Sequence, residues 1–325
     1  MIPPASSIDP RVSVVIPAYN EEGNLDELCR QFAEMEKTAP FSFEVIIVDD
    51  GSVDRTGERL ADLSGRHPFL RALTHHRNRG LTQALQTGFA EARGEIFVFY
   101  PADLQYRPED IPSLVAGIDA GNDLVTGWKQ GDYSKKFVST IYNTLSRRLF
   151  NLTVHDLNSV KAFRREVVEN IYLRRDWHRY LVALAVEQGY RVDEVKIPLY
   201  PRHSGASKYS GFWRIPVGLL DLLAVKSQLT LLRKPLLFFG IPGLVLLVLG
   251  TLTGLVAIYL RIVDNFGFRP LLYLVILLMV MGVSFFILGF VSEGLAAIRE
   301  ELSDVTASVK RLETRRRRRS DKKDE

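Results

Sequence analysis

The chain has 325 residues, too many for one small domain and suited to one large domain with an appendage. A single cysteine, Cys29, excludes an internal disulfide framework and suits a reducing compartment. The net charge of +4 comes largely from the C-terminal run RRRRRSDKK.

Residues 12–100 alternate between short β-branched runs and helical patterns. Strands are predicted at RVSVVIPAYN, FEVIIVDDGS, FLRALTHH and EIFVFY. Between them, the spacing of Leu25, Leu28, Phe32 and Met35 predicts a helix, and DRTGERLADLSGR and GLTQALQTGFAEAR predict two more. Strands that alternate with helices predict a parallel, doubly wound α/β sheet.

Polar clusters follow three of these strands: PAYNEE, DDGSVD and PADLQ. Ligands of doubly wound sheets bind beyond the carboxyl ends of the strands, so these clusters predict a binding site at that edge. Neither GxGxxG nor GxxxxGK[ST] is present. Acidic strand ends suit ribose hydroxyls and base N–H groups, with a metal bridging a diphosphate.

Residues 235–260 and 270–292 contain no charged residue, and each run is long enough to span a bilayer as a helix. The flanks of this pair hold more Lys and Arg than the loop RIVDNFGFR between the runs. The positive-inside bias therefore predicts two spans with the large domain and both termini in the cytoplasm. Trp213 and the Leu-rich segment after it predict an interfacial amphipathic helix over 211–232.

The predicted organisation is a cytoplasmic domain over 1–210, the interfacial helix over 211–232, a membrane region over 233–292, and a cytoplasmic helix with a basic tail over 293–325. Anionic lipid head groups are a better partner than nucleic acid for basic residues beside a span, and a solvated tail without a partner stays open. LAAIREELSDVTASVKRLE is helical in pattern, but its heptads are too few to decide whether the chain forms a homo-oligomer.

Several stretches together carry a resemblance that covers residues 12–300: SVVIPAYNEEGNL, IIVDDGSVDRT, NRG, PADLQYRPEDIP, DLNSVKAFRREVV and HRYLVALAVEQGYRVDEVKIPLYPRHSGASKY. With the paired C-terminal spans, the chain resembles the family-2 inverting glycosyltransferases. More narrowly, it is similar to the polyprenyl-phosphate sugar transferases, such as dolichyl-phosphate mannose synthases and undecaprenyl-phosphate glucosyltransferases. The resemblance implies a Rossmann-like GT-A fold, a doubly wound mixed sheet, with two transmembrane helices after it.

The resemblance also implies a donor site for a UDP- or GDP-linked sugar. Its residues would be Pro17, Tyr19, Glu21, Asp49, Asp50, Asp103 and Gln105. A carboxylate at a strand end accepts two hydroxyl hydrogen bonds well, which suits Asp49 and Asp50. The alternative for that pair is a plain turn that caps the next helix, a role for which Ser52 and Asp54 are better placed.

PADLQ stands where the family usually has DADLQ, whose two acids and glutamine help hold Mg²⁺ or Mn²⁺ against the diphosphate. Here Asp103 and Gln105 remain, and Pro101 replaces the first acid. Mg²⁺ commonly uses one or two protein carboxylates and completes its shell with water and phosphate oxygens, so we expect weaker metal binding but not its loss. The alternative is a turn that only leads into RPEDIP.

For the acceptor, the resemblance implies a helix that cradles a polyprenyl phosphate. The candidate residues are Lys129, Lys135, Lys136, Ser139 and Asn143. Lys135 and Ser139 would share one helix face; a solvated basic face is the alternative, which Arg147 and Arg148 fit better. Arg202 and Lys208 of RHSGASKY would offset the charge of the departing diphosphate, and with Asp103 they form the predicted catalytic set.

The implied reaction is inverting sugar transfer to a polyprenyl phosphate, whose oxygen is already anionic and needs no strong general base. A processive polysaccharide synthase is disfavoured because the chain lacks the Gln-x-x-Arg-Trp motif and further spans. Two alternatives stay open: transfer to another lipid, and a non-catalytic, membrane-anchored scaffold that binds nucleotide sugars. The sequence does not distinguish the sugar.

Overall fold

The computed structural model describes residues 9–131, 136–171, 173–174, 177–201, 220, 222–227, 235–263, 267 and 269–321. The chain forms two compact units, Met1–Gly218 and Leu219–Glu325. The first unit contains the sheet and the second contains two long helices, each described by itself below.

The first unit is built on a seven-stranded mixed sheet. Its strands are β1 Val12–Ala18, β2 Phe43–Asp49, β3 Leu70–Thr74, β4 Ile96–Phe99, β5 Leu124–Gln130, β6 Lys161–Arg164 and β7 Val192–Pro198. The order across the sheet is β3-β2-β1-β4-β6-β5-β7. The pairs β3–β2, β2–β1, β1–β4 and β5–β7 are parallel, whereas β6 is antiparallel to both β4 and β5.

Helices connect these strands. They are α1 Leu25–Thr38, α2 Thr56–Arg66, α3 Leu81–Glu91, α4 Ile111–Asp119, α5 Lys136–Phe150, α6 Arg165–Asn170 and α7 Leu181–Glu187. Two 3₁₀ turns, Pro108–Asp110 and Trp177–Tyr180, precede α4 and α7. The strands and helices predicted up to Phe99 are confirmed, and so is the mixed GT-A-type sheet. The purely parallel arrangement expected from the strand–helix alternation is corrected by β6, which lies reversed between β4 and β5.

The core reaches the carboxyl edge of the sheet through the segment that follows β4. Its even-numbered residues Tyr100, Ala102, Leu104 and Tyr106 are buried, whereas Pro101, Asp103 and Gln105 between them are partly exposed. The ring of Tyr100 packs edge-on against Phe32 of α1, with centroids 5.5 Å apart, and its hydroxyl donates to the Tyr106 carbonyl. Burial of alternate side chains therefore fixes the turn that carries Asp103 and Gln105.

The second unit contains two candidate membrane spans. Helix α8 runs over Pro235–Val263, and α9 runs over Arg269–Asp321, with its apolar part ending at Ile298. Both apolar segments are mostly exposed, unlike the core helix of a soluble domain. The two helices approach closely at Gly243 and Gly282, where a Cβ on either glycine would lie about 3 Å from the other's carbonyl oxygen. Small residues that allow such close backbone approach are typical of helix pairs in membranes.

Helix α9 continues without a break past the predicted end of the second span at residue 292. At 1.5 Å per residue, Arg315 lies roughly 25 Å along the helix axis from Ile298. Attraction to lipid head groups falls off within a Debye length of about 8 Å. A lipid role for the arginine run therefore requires that this part of α9 lie along the membrane surface.

We expect Gly282→Leu to destabilise the helix pair by about 1–3 kcal/mol, the usual cost of overpacking. A Cβ at this position would lie 2.7 Å from Leu247 Cγ. The matched control is Gly294→Leu on the same helix, because a Cβ there meets no atom within 4 Å. Thermal unfolding of the detergent-solubilised protein measures the difference, and equal melting temperatures for the two variants would contradict the packing described.

Candidate active site

The three predicted polar clusters lie together at the carboxyl edge of the sheet. Strand pairing aligns Ala18 with Asp49 and Val15 with Phe99, so the segments after β1, β2 and β4 leave the sheet side by side. The register of the strands therefore brings the three predicted clusters to one edge of the sheet, where they form a candidate site.

The segment after β1 is fastened to the turn after β2. The backbone N–H of Asn20 donates to Ser52 Oγ at 2.9 Å, and Asn20 Oδ1 accepts from Val53 N at 2.9 Å. The backbone N–H of Glu21 donates to Thr56 Oγ1, also at 2.9 Å. The predicted nucleotide residues Pro17, Tyr19 and Glu21 are all partly exposed on this segment. They are thus accessible and held beside Asp49.

Asp49 and Asp50 are each only 3% exposed. Asp49 Oδ1 accepts from the backbone N–H of Ser52 at 3.0 Å and from its hydroxyl at 2.5 Å. The helix-start role falls to Asp54, whose Oδ1 accepts from Thr56 N at 3.0 Å. Partial burial raises the pKa of Asp54, but the hydrogen bonds from Thr56 and Glu22 outweigh this and hold it below its usual value. Asp49 and Asp50 are therefore not needed to cap α2.

The turn that carries Asp103 and Gln105 is tied to the end of β7. The Tyr200 N–H donates to the Gln105 carbonyl at 3.0 Å, and the Arg107 guanidinium lies 4.1 Å from the centre of the Tyr200 ring. Leu104 has φ +58°, a left-handed conformation uncommon for a leucine, and its side chain is buried. In this conformation the Leu104 side chain points into the core, and Asp103 and Gln105 lie on either side of it in the turn.

The donor set of this turn fits a weakly held divalent cation. Asp103 supplies one carboxylate, and Gln105 supplies an amide oxygen, which is the ligand atom of an amide. Among the described residues, no cluster of three or more His, Cys, Asp or Glu could hold a metal by itself. Mg²⁺ accepts one or two protein oxygens when phosphate oxygens and water complete its shell. The residues therefore suit a metal that arrives with a diphosphate.

A buried charge cluster surrounds Lys129, one of the predicted acceptor-phosphate residues. Lys129 of β5 forms an ion pair with Asp156, Nζ to Oδ2 at 3.2 Å, and both side chains are largely buried. Lys161 of β6 is only 1% exposed; its Nζ donates to the Ser159 carbonyl at 2.9 Å and lies 5.2 Å from the centre of the Phe99 ring.

Burial lowers the pKa of Lys161 to about 7, with Asp156 opposing this shift and Lys129 adding to it. Lys161 is not among the residues predicted from the sequence. The signal in the sequence was a lysine between apolar neighbours in the strand-like run VKAF. A lysine at such a position is either buried in the sheet or marks the end of the strand.

His178 is not among the predicted catalytic residues, and its surroundings indicate a structural role. Its Nδ1 lies 3.0 Å from Thr82 Oγ1 at the start of α3. Burial lowers its pKa to about 3, and the positive charges of Arg179 and Lys161 add to the shift. A histidine in this state is neutral at physiological pH, and this partly buried ring has a structural, hydrogen-bonding role.

Not every predicted residue falls within the described part of the chain. Lys135, Arg202 and Lys208 lie outside it, and of Lys136 and Ser139 only the position on α5 is described. Asn143 is partly exposed on the same helix. Tyr200, the second residue before Arg202 in the sequence, donates its backbone N–H to the Gln105 carbonyl.

Residues 13–172 match the family model described as glycosyl transferase family 2. A dodecaprenyl-phosphate galacturonate synthase from Rhizobium johnstonii is 32% identical over 307 residues, covering 90% of this chain and 89% of the relative. An undecaprenyl-phosphate 4-deoxy-4-formamido-L-arabinose transferase from Klebsiella pneumoniae is 30% identical over 306 residues, covering 90% of both chains. The chain therefore belongs to glycosyltransferase family 2.

Solved structures share the fold at low sequence identity. Glucosyl-3-phosphoglycerate synthase from Mycobacterium tuberculosis superimposes with a TM-score of 0.54 at 18% identity, covering 68% of this chain and 80% of that one. The same enzyme with Mg²⁺ and uridine diphosphate gives a TM-score of 0.53 at 20% identity, covering 66% and 79%. The protein is a glycosyltransferase, and the predicted similarity to polyprenyl-phosphate sugar transferases is confirmed by its nearly full-length relatives.

Proposed function

We propose that the protein transfers a sugar, with inversion, from a nucleotide-diphosphate sugar to a polyprenyl phosphate and releases a nucleoside diphosphate. The observation that carries this proposal is the convergence of three acidic or amide-bearing segments at one sheet edge. It is supported by relatives that match nine-tenths of the chain and are named for undecaprenyl or dodecaprenyl phosphate.

On the donor side, Pro17, Tyr19, Glu21 and Asp49 bind the nucleoside, since they lie at the ends of β1 and β2. Asp103 and Gln105 would hold Mg²⁺ or Mn²⁺, which neutralises charge on the diphosphate when bound. Arg202 and Lys208 offset the negative charge that grows on the departing nucleoside diphosphate. Whether the nucleotide is UDP or GDP is decided by the substrate panel below.

On the acceptor side, Lys129, Lys135, Lys136, Ser139 and Asn143 place the lipid phosphate. One phosphate oxygen attacks the anomeric carbon and forms the new C–O bond. The bond between that carbon and the diphosphate oxygen breaks on the opposite face, and the electron pair leaves with the nucleoside diphosphate. No proton has to be removed from the nucleophile, so the protein's side chains need only position the two substrates and neutralise their negative charge.

Specific observations favour two alternative functions. Pro101 in place of the usual acid favours a scaffold that binds nucleotide sugars without turnover. The exposed apolar helices α8 and α9 would serve equally well for another membrane acceptor, such as a diacylglycerol or a ceramide. The transferase is favoured because Arg202 and Lys208 are retained together with Asp103 and Gln105. A protein that only binds nucleotide sugars does not need charges that stabilise the departing diphosphate.

The test is turnover by the purified full-length protein. It is supplied with undecaprenyl phosphate, Mg²⁺ or Mn²⁺, and a panel of UDP- and GDP-linked sugars. We expect a polyprenyl-monophosphate sugar from one donor, and none when diacylglycerol or ceramide replaces the polyprenyl phosphate. Binding of a nucleotide sugar without any glycolipid product would favour the scaffold, and product only with another lipid would favour the second alternative.

We also propose that the catalytic unit and both termini face the cytoplasm. A membrane-impermeant maleimide applied to intact cells is expected to label Gly267→Cys, in the loop between the spans, but not Val53→Cys, whose position is 84% exposed on the catalytic unit. Native Cys29 gives little background because burial, with the Asp26 charge, raises its thiol pKa to about 12. Labelling of Val53→Cys before cell lysis would reverse the proposed orientation.

A further inference from the structure

The second acid of the DDGS turn is engaged entirely with the protein's own loop over residues 75–80. Asp50 Oδ1 accepts from the backbone N–H of Arg79 at 2.9 Å and lies 2.7 Å from His75 Nδ1. Asp50 Oδ2 accepts from the backbone N–H of Gly80 at 2.7 Å. Charge-assisted hydrogen bonds to backbone amides are among the stronger ones in proteins, so this carboxylate shapes the loop.

His75 extends the same network into the helix that follows. The ring is buried, and because a carboxylate only accepts, Nδ1 carries the proton towards Asp50. Nε2 lies 2.9 Å from Thr87 Oγ1 on α3. The backbone N–H of His75 also donates to the Asp49 carbonyl at 2.9 Å. The ends of β2 and β3 and the body of α3 are therefore linked through Asp50 and His75.

A second contact presses the loop against the DDGS turn. Gly51 has φ +70°, and a Cβ at this position would lie 2.4 Å from the carbonyl carbon of Arg77. Backbone meets backbone here, which only glycine permits without moving the loop. The loop carries two exposed arginines, Arg77 and Arg79, at the edge of the sheet where Asp49 lies.

We infer that Asp50 is a positioning residue, which together with His75 holds the loop over residues 75–80 as a wall of the nucleoside-diphosphate pocket. The inference rests on the proposed function, and it assigns Asp50 a role different from the contact with base or ribose that the family resemblance implied. Asp49 keeps the direct contact with base or ribose, because the hydrogen bonds to its carboxylate come from Ser52 and not from the loop over residues 75–80.

The test combines two readouts on the nucleotide-free, detergent-solubilised full-length protein. Hydrogen exchange over residues 76–82 reports the amides of Arg79 and Gly80, and calorimetry with UDP and with GDP reports nucleotide affinity. We expect Asp50→Asn and His75→Phe each to speed exchange in this peptide and to weaken nucleotide binding, both by about tenfold. The matched control, Asp49→Asn, should weaken binding while exchange stays at the wild-type rate.

Either of two results would overturn the inference. Asp50→Asn with weakened binding and wild-type exchange would make Asp50 a direct ligand. Faster exchange with unchanged affinity would remove the loop from the pocket. If Asp50→Asn does not fold, Thr87→Val and Gly51→Ala disturb the network and the loop without altering the carboxylate, and the same pair of outcomes applies. A wild-type protein that binds neither nucleotide refutes the proposed function, whereas the exchange rates still decide whether Asp50 holds the loop.

Discussion

Asp103→Asn is expected to reduce turnover by about 100-fold at saturating Mg²⁺ or Mn²⁺, because it removes the one carboxylate of the predicted metal turn. Asparagine keeps the size of the side chain and can still accept from the Gln105 N–H, which lies 3.3 Å from Asp103 Oδ1. The loss should therefore reflect charge and not a collapsed turn. Activity measured against metal concentration gives both the maximal rate and the half-saturating concentration.

The departure at Pro101 permits the complementary gain. Pro101→Asp restores the usual first acid and is expected to tighten Mn²⁺ binding about tenfold, since ligand charge sets affinity in oxygen-ligated sites. Pro101→Ala is the matched control, because it removes the ring without adding a carboxylate. Calorimetric titration of Mn²⁺ in the presence of UDP measures the change independently of turnover. If Pro101→Asp and Pro101→Ala bind Mn²⁺ equally, position 101 does not face the metal.

The second large effect is expected at Lys161. Its pKa falls from 10.5 to about 7 on folding because of burial, so the unfolded chain binds the extra proton more readily between these values. The resulting penalty is fully present below about pH 7 and fades as the pH rises towards 10.5. Lys161→Met removes it, and we expect a gain of roughly 2–4 kcal/mol at pH 7 that shrinks towards pH 10.

The same variant should lose activity, by about tenfold, although it is more stable. The Lys161 side chain neighbours the Lys129–Asp156 ion pair at the edge of the sheet where the two proposed substrates would place their phosphates, and a buried ionisable group with a strongly shifted pKa is typical of functional sites. Thermal unfolding at pH 7 and pH 9.5, with turnover at pH 7.5, tests both parts. Arg71→Met is a suitable control. The ion pair of Arg71 with Glu44 lies at the amino ends of β3 and β2, away from the candidate site, and the variant should be less stable than the wild type at pH 7. A less stable but fully active Lys161→Met protein would contradict the prediction.

The strands of the N-terminal half and the polar turns after them can be predicted from the sequence because they depend on neighbouring residues. The runs VVI at 14–16 and VIIV at 45–48 contain no polar residue, and each is followed by turn residues, so β1 and β2 follow directly. The direction of β6 was not readable. It depends on pairing with β4 and β5, whose aligned residues lie 62 residues upstream in the pair Phe99↔Lys161 and 39 residues upstream in the pair Leu124↔Phe163. No local pattern encodes such distant partners.

Composition, spacing and an ordered set of motifs are enough to identify the class of protein, the two apolar helices and the segments of the candidate site. The fold, in contrast, sets the roles of the individual charges. It turned Asp50 towards the loop over 75–80, paired Lys129 with Asp156, and buried Lys161 beside Phe99. These roles depend on which distant groups share a low-dielectric pocket, and that proximity exists only after the chain has folded.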